Sequence, residues 1–242
     1  MKLLDLLPTN FNVNWQAISQ NCSEYIHICQ TQKKWLYRGK NTPLLINKIY
    51  DTPSQRKPRD SDPDASYVYD LLLEKWGVSA RRSNSIFVTS DIQQAKYYGS
   101  SVYVIFPLNG AHYTWTNNKD ITFKRTAMFD SNFQIRQYIN EIHKWLEQQN
   151  LPSNHLEAFS KWAWLDTTSQ IIMLIRQPEI FSLPEKLQPH IYLDDWKPFT
   201  NLDHSLSNAL NNGVEVWMNG HYYAVKTSYY RQIYTNFGVP VA

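Results

Sequence analysis

Apolar positions recur at intervals of three and four near the start of the chain. Trp15, Ile18, Cys22, Tyr25, Ile26 and Cys29 follow this spacing and predict helix over residues 14–32. Trp-Leu-Tyr-Arg-Gly-Lys, residues 35–40, is too short for a helix and reads as a strand ending at Gly39. The stretch 52–66 is polar and interrupted by prolines, which predicts an exposed loop, and a helix is expected over 67–76. Residues 101–107 form an apolar run with the length of a buried strand, and 113–116 a shorter one. Helical spacing returns over 132–149 and 155–164, and Ile171–Arg176 reads as a strand. Residues 177–200 read as a proline-rich connection. Leu202, Leu206, Ala209 and Leu210 then share a helical face, and Gly213 stands where a left-handed cap ends a helix. Val214–Met218 and His221–Lys226 read as strands joined at Asn219-Gly220, a strong hairpin signal. The pattern is that of an α+β domain of short strands, with a helical N-terminal part over 1–34 and a mainly helical insert over 117–200.

Between the first strand and the apolar run lies Ser-Ile-Phe-Val-Thr-Ser-Asp-Ile-Gln-Gln-Ala-Lys-Tyr-Tyr-Gly, residues 85–99. A short strand stops at Thr89-Ser90-Asp91, and a helix follows that carries Ala95 and Tyr98 on one side. Ser, Thr and Asp are the residues that cap helices, and they also hold ligands at such junctions.

Composition narrows the options. A net charge of +3 is mild and does not indicate a dedicated duplex-DNA binder. Only 7 glycines are present, which argues against a phosphate site built on a glycine-rich loop. Aromatic residues make up 14% of the chain, enough to line a groove for a flat ligand as well as fill a core. Cys22 and Cys29 are expected as buried thiols in a reducing compartment. His112, His204 and His221 have no metal-ligand spacing, so no metal is expected. No apolar run approaches the ~20 residues of a membrane span, and the start of the chain does not read as a signal peptide. A cytoplasmic protein without membrane partners is expected.

Three stretches then stand out in order: Leu-Tyr-Arg-Gly at 36–39, the 87–99 segment, and Gly-Val-Glu-Val-Trp-Met at 213–218. Together they resemble the ADP-ribosyltransferase superfamily, in particular its phage and bacterial members. That superfamily carries an Arg or His on a first strand, a Ser-Thr-Ser-type strand-to-helix element, and a Glu on a later strand. The resemblance covers roughly 35–106 and 202–226. It implies a split β-sandwich that takes NAD as substrate, releases nicotinamide, and passes ADP-ribose to a protein or nucleic-acid acceptor, within the host cytoplasm if the protein is phage-encoded. Glu215 would be the catalytic carboxylate, facing an oxocarbenium-like transition state and bonding a ribose hydroxyl. Arg38 would grip phosphate or the adjoining ribose with its planar fork. Thr89 and Ser90 would brace the Arg and Glu, Gly39 would offer its main chain to the nicotinamide amide, and Tyr97 or Tyr98 would stack on the nicotinamide ring, one of the pair belonging to the core.

Two departures matter. Val88 replaces the first hydroxyl of the triplet. Gly213 stands two residues before Glu215, where protein-arginine modifiers carry a second Glu, which leaves other acceptors or water open. Simpler readings stand beside these. Arg38 can be an ion-pair partner at a strand end, residues 89–91 a helix cap, and Glu215 an edge-strand charge. Arg56 and Arg59 can be solvated, or can contact a phosphate or polyanion. A binding module on the same fold is an alternative function, as is a metal-dependent nuclease pairing Glu215 with Asp166 or Asp194.

Overall fold

The computed structural model describes residues 12–56, 77–116, 133–148 and 202–241, with single positions at 70, 73, 74, 170, 173, 174 and 184. The chain divides into two compact units, one made of 1–56, 79–119 and 202–242, the other of 57–78 and 120–201. The architecture is α+β, with an open antiparallel sheet of eight strands.

In the first unit the expected N-terminal helix is two helices, α1 (Trp15–Asn21) and α2 (Ser23–Gln32). The break falls at Cys22, whose φ of −120° lies outside the helical range. Strand β1 (Leu36–Lys40) follows, then the short β2 (Tyr50–Asp51), which the apolar pattern did not mark. Next come β3 (Ile86–Thr89), α3 (Ile92–Tyr97), β4 (Ser101–Pro107) and β5 (His112–Thr116).

In the second unit α4 (Phe133–Glu147) buries Tyr138, Ile139, Ile142 and Leu146, the stripe expected of an amphipathic helix. Within the strand expected over Ile171–Arg176, the described positions Met173 and Leu174 are helical, as is Gln170 before them. A short apolar run cannot by itself be told from a buried helical turn. The helix expected over 155–164, all but one residue of the proline-rich 177–200 and most of 52–66 lie outside the described residues.

The chain re-enters the first unit at β6 (Leu202–Asp203), then α5 (Leu206–Asn212), β7 (Glu215–Asn219), β8 (His221–Lys226) and α6 (Tyr230–Phe237). Leu202 was expected to start a helix. That helix begins later because Ser205 caps it, its hydroxyl accepting from the Asn208 amide at 3.4 Å. Helix α6 went unread because it buries only Ile233 and Phe237.

The sheet order is β2-β8-β4-β1-β3-β7-β5-β6. This corrects the hairpin expected at Asn219-Gly220. β7 is flanked by β3 and β5, while β8 is flanked by β2 and β4. Both sides of β7 are taken, so the chain bends at Gly220 and carries on into the other half of the sheet. The connection from β4 to β5 also passes from one half to the other. Two groups of four strands result, β2-β8-β4-β1 and β3-β7-β5-β6. Among the described residues the one ladder between them is β1 with β3, and it consists of a single pair, Tyr37 with Thr89.

The core of this unit is aromatic. Trp35 packs on Phe106 at 5.2 Å between ring centroids, and Phe237 and Tyr25 each contact both rings. The Trp35 indole donates to the Val239 carbonyl at 3.2 Å, which ties the chain end to the first strand. Cys22 and Cys29 are free thiols, buried in this core as expected. Burial pushes the Cys22 thiol up to about 12 and raises Cys29 further. Among the described residues no helix is long and apolar enough to cross a membrane.

Candidate functional site

Thr89 sits at the junction of the two half-sheets, across from Tyr37 on one side and Glu215 on the other. Residues paired across a ladder share a face, and so do residues two apart on a strand. Tyr37, Thr89, Glu215, Phe87 and Trp217 therefore share one face of the sheet. The next pair in register, Arg38 with Val88, does not form, so β1 and β3 part at that point. A narrow cleft of about 10 Å³, room for about one water molecule, opens there, lined by Tyr37, Arg38, Phe87, Val88, Thr89, Gln94, Tyr98 and Glu215.

Both carboxylate oxygens of Glu215 are held. Oε1 accepts from the Trp217 indole at 3.2 Å and Oε2 from the Tyr98 hydroxyl at 3.2 Å. Trp217 is itself fixed by burial and by stacking on Phe87 across the β3–β7 ladder, at 6.3 Å and 20°. β7 lies inside the sheet, so Glu215 is not an edge-strand charge. A carboxylate held this way points at a fixed place in the cleft before any ligand arrives.

Arg38 stands on the β1 side of the opening. Its Nη1 is buried and has no hydrogen-bond partner among the described residues. Burial lowers its pKa, against the opposing pull of the Tyr222 phenol, but a guanidinium still stays charged at any ordinary pH. A buried donor left unmatched costs about 1–3 kcal/mol, more when charged, and an anion in the cleft would offset that cost. The strand-end ion-pair reading does not describe this side chain.

The Thr89 hydroxyl donates to Gln94 Oε1 at 2.6 Å and accepts from the Asp91 amide at 3.1 Å. Asp91 is the helix cap, accepting from the amides of Gln93 and Gln94 at 2.8 and 3.3 Å. The capping reading thus holds for Asp91, while Thr89 faces the cleft. Ser90 does not line the cleft: its hydroxyl donates to the Leu210 carbonyl at 2.7 Å and satisfies the C-terminal end of α5.

Gly39 has a packing reason of its own. A Cβ there would lie 2.0 Å from the Ala95 carbonyl oxygen, so only glycine lets α3 rest against β1. Gly99 plays the reciprocal part against the Lys40 backbone, at 2.4 Å for the same imagined atom. Tyr97 is 89% exposed and Tyr98 51%, so neither belongs to the core, and Ala95 is the residue α3 buries. Tyr98 reaches the cleft. Tyr97 does not line it.

No protein-family model, no curated protein and no solved structure matches this chain. The site is therefore read from its own residues. Tyr37, Phe87, Gln94 and Trp217 lie within the three motifs but were given no role there. Phe87 and Trp217 had a signal, since each lies two residues from Thr89 or Glu215 on its strand and so on the same face. Gln94 had none, because its bond to Thr89 depends on the angle between α3 and β3.

Among the described residues no group of three or more His, Cys, Asp or Glu is placed to hold a metal ion. Asp166 and Asp194, the partners considered for a nuclease, lie outside those residues.

Proposed function

We propose that the protein is an NAD-dependent ADP-ribosyltransferase. The observation that supports this reading is that Arg38, Thr89 and Glu215, from three strands far apart in the sequence, line one cleft. The narrowing of the open sheet to the single Tyr37–Thr89 pair between β1 and β3 also supports the reading, since a split β-sandwich divides its strands in this way.

The chemistry is a displacement at the ribose. The bond from the anomeric carbon to the nicotinamide nitrogen breaks, and its electron pair stays on nicotinamide. Positive charge spreads over the anomeric carbon and ring oxygen, and Glu215 stabilises it from a position already fixed by Tyr98 and Trp217. The acceptor attacks the same carbon and loses a proton. Arg38 holds phosphate oxygens, the partner its buried Nη1 lacks. Thr89 and Gln94 line the wall between the two charges. As it stands the cleft has room for about one water molecule, so a nucleotide would widen it on entering and place only one end there.

Position 213 bears on the acceptor. Gly213 ends α5 in the left-handed region, at φ 63°. A glutamate there would strain the backbone that positions β7. The second carboxylate of the protein-arginine modifiers thus has no place here, and the reading favours an acceptor that needs less help losing its proton.

NAD binding tests the reading directly. Ligand-observed NMR should show saturation transfer to the nicotinamide protons of NAD with the wild-type protein, strongly reduced in Arg38→Ala. Transfer that is absent in the wild type, or unchanged in the variant, contradicts it.

A further inference from the structure

Beside the cleft, on the β3 wall, two further guanidiniums gather on one ring. Arg56 lies 3.8 Å from the centroid of Phe87, and Arg82 lies 5.7 Å from it. Phe87 lines the cleft. Its ring also stacks on Trp217, whose indole holds Glu215. These arginines are thus one side chain removed from the reactive end of the proposed site.

Stacking on a phenyl ring orients a guanidinium without using its N–H donors. Arg82 illustrates this: its Nη1 is buried and has no hydrogen-bond partner among the described residues. Arg38, across the cleft, shares that condition. The backbone carrying Arg82 is held in place. Asn84 Oδ1 accepts from the Arg81 amide at 2.7 Å, and Asn84 Nδ2 donates to the Ser79 carbonyl at 2.9 Å. Asn219, at the end of β7, donates to that same carbonyl at 3.2 Å. The turn is therefore pinned to the strand that carries Glu215.

Arg38, in the cleft, and Arg82, beside the Phe87 ring that lines it, each carry a buried Nη1 with no partner among the described residues, and such unmatched donors are costly. A ligand with two adjacent anionic groups relieves both costs at once. We infer that Arg82, stacked on Phe87 beside Arg56, is a second phosphate anchor, so that the diphosphate of a dinucleotide bridges Arg38 and Arg82. This inference rests on the nucleotide reading of the cleft. Arg82 touches phosphate and not the reacting atoms, so it governs affinity and not the chemical step.

The test measures ADP binding by calorimetry in wild type, Arg38→Ala, Arg82→Ala and Arg82→Lys, with NAD turnover followed separately. Each arginine-to-alanine change should weaken ADP binding roughly tenfold or more, the worth of one charge-assisted hydrogen bond. Arg82→Lys should recover part of the loss, since it restores charge without the fork. In Arg82→Ala the KM for NAD should rise while kcat holds within about threefold. If ADP binds Arg82→Ala as tightly as wild type while wild type turns over NAD, the second anchor is wrong and the transferase reading stands. If wild type neither binds ADP nor consumes NAD, both fail. Thermal melts of each variant separate lost binding from lost fold.

Discussion

Tyr98 donates its phenolic hydrogen to Oε2 of Glu215 at 3.2 Å, joining the end of α3 to the start of β7. The bond couples a helix that grows out of the Thr89 junction to the carboxylate proposed to face the ribose. A Glu215 held from two sides reorganises little as charge develops opposite it.

Tyr98→Phe removes the hydroxyl and keeps the ring. Hydrogen bonds to charged groups contribute about 1.5–3 kcal/mol. The expected outcome is a fall in kcat for nicotinamide release of roughly tenfold or more, with the melting temperature nearly unchanged. A variant with full activity would show that the Tyr98 hydroxyl is not needed to hold Glu215.

Ser90 answers to a different measurement. Its hydroxyl serves the Leu210 carbonyl at the end of α5. Ser90→Ala should lower stability by about 1 kcal/mol, the net value of one such bond, visible in urea unfolding. Turnover should stay within about threefold. A folded Ser90→Ala protein with turnover reduced a hundredfold would return this hydroxyl to the reacting centre.

Gly39→Ala probes the contact between β1 and α3. The new methyl would meet the Ala95 carbonyl at 2.0 Å, and backbone cannot move aside as a side-chain tip can. Overpacking of this kind costs about 1–3 kcal/mol, so the urea midpoint should drop clearly. Nicotinamide release should fall as well, because α3 carries both Gln94 and Tyr98. An unaltered midpoint would show that α3 does not rest on β1 this closely.

Alkaline pH should destabilise the protein through its core thiols. Cys22 is raised from its ordinary 9.0 to about 12, and Cys29 is raised in the same direction. Folded thiols keep their protons while unfolded ones lose them, so the unfolded state binds fewer protons and stability falls as pH rises above about 9. Buried Tyr25 and partly buried Tyr113, also raised, add to the fall at higher pH. Urea midpoints measured between pH 8 and 11 should decline, and less steeply in a Cys22→Ala, Cys29→Ala double variant. The native thiols should also resist alkylation until the protein unfolds.

Much of this was legible in the sequence because single segments carried it. The 101–107 run, the helical stripe of Leu206, Ala209 and Leu210, and the Asp91 cap each follow from local chemistry. Order along the sheet was not legible. An Asn-Gly pair bends the chain equally well into a hairpin or around a corner, and only the partners of β7 decide which. The candidate site divided in the same way. Arg38, Thr89 and Glu215 were marked by residue type and do line one cleft. Ser90 and Gly39 carried the same marks, yet one serves a helix end and the other a helix contact. Arg82 had no mark beyond its charge, since its place over Phe87 depends on a turn pinned by Asn84.

Nicotinamide release from NAD is the most direct test of the central claim, measured on purified wild type and on Glu215→Gln, which keeps an oxygen for the Trp217 indole. The account predicts steady release by the wild type and a fall of about 10²–10³-fold in the variant, with the melting temperature unchanged. No release by the wild type, or equal release by both proteins, would contradict it.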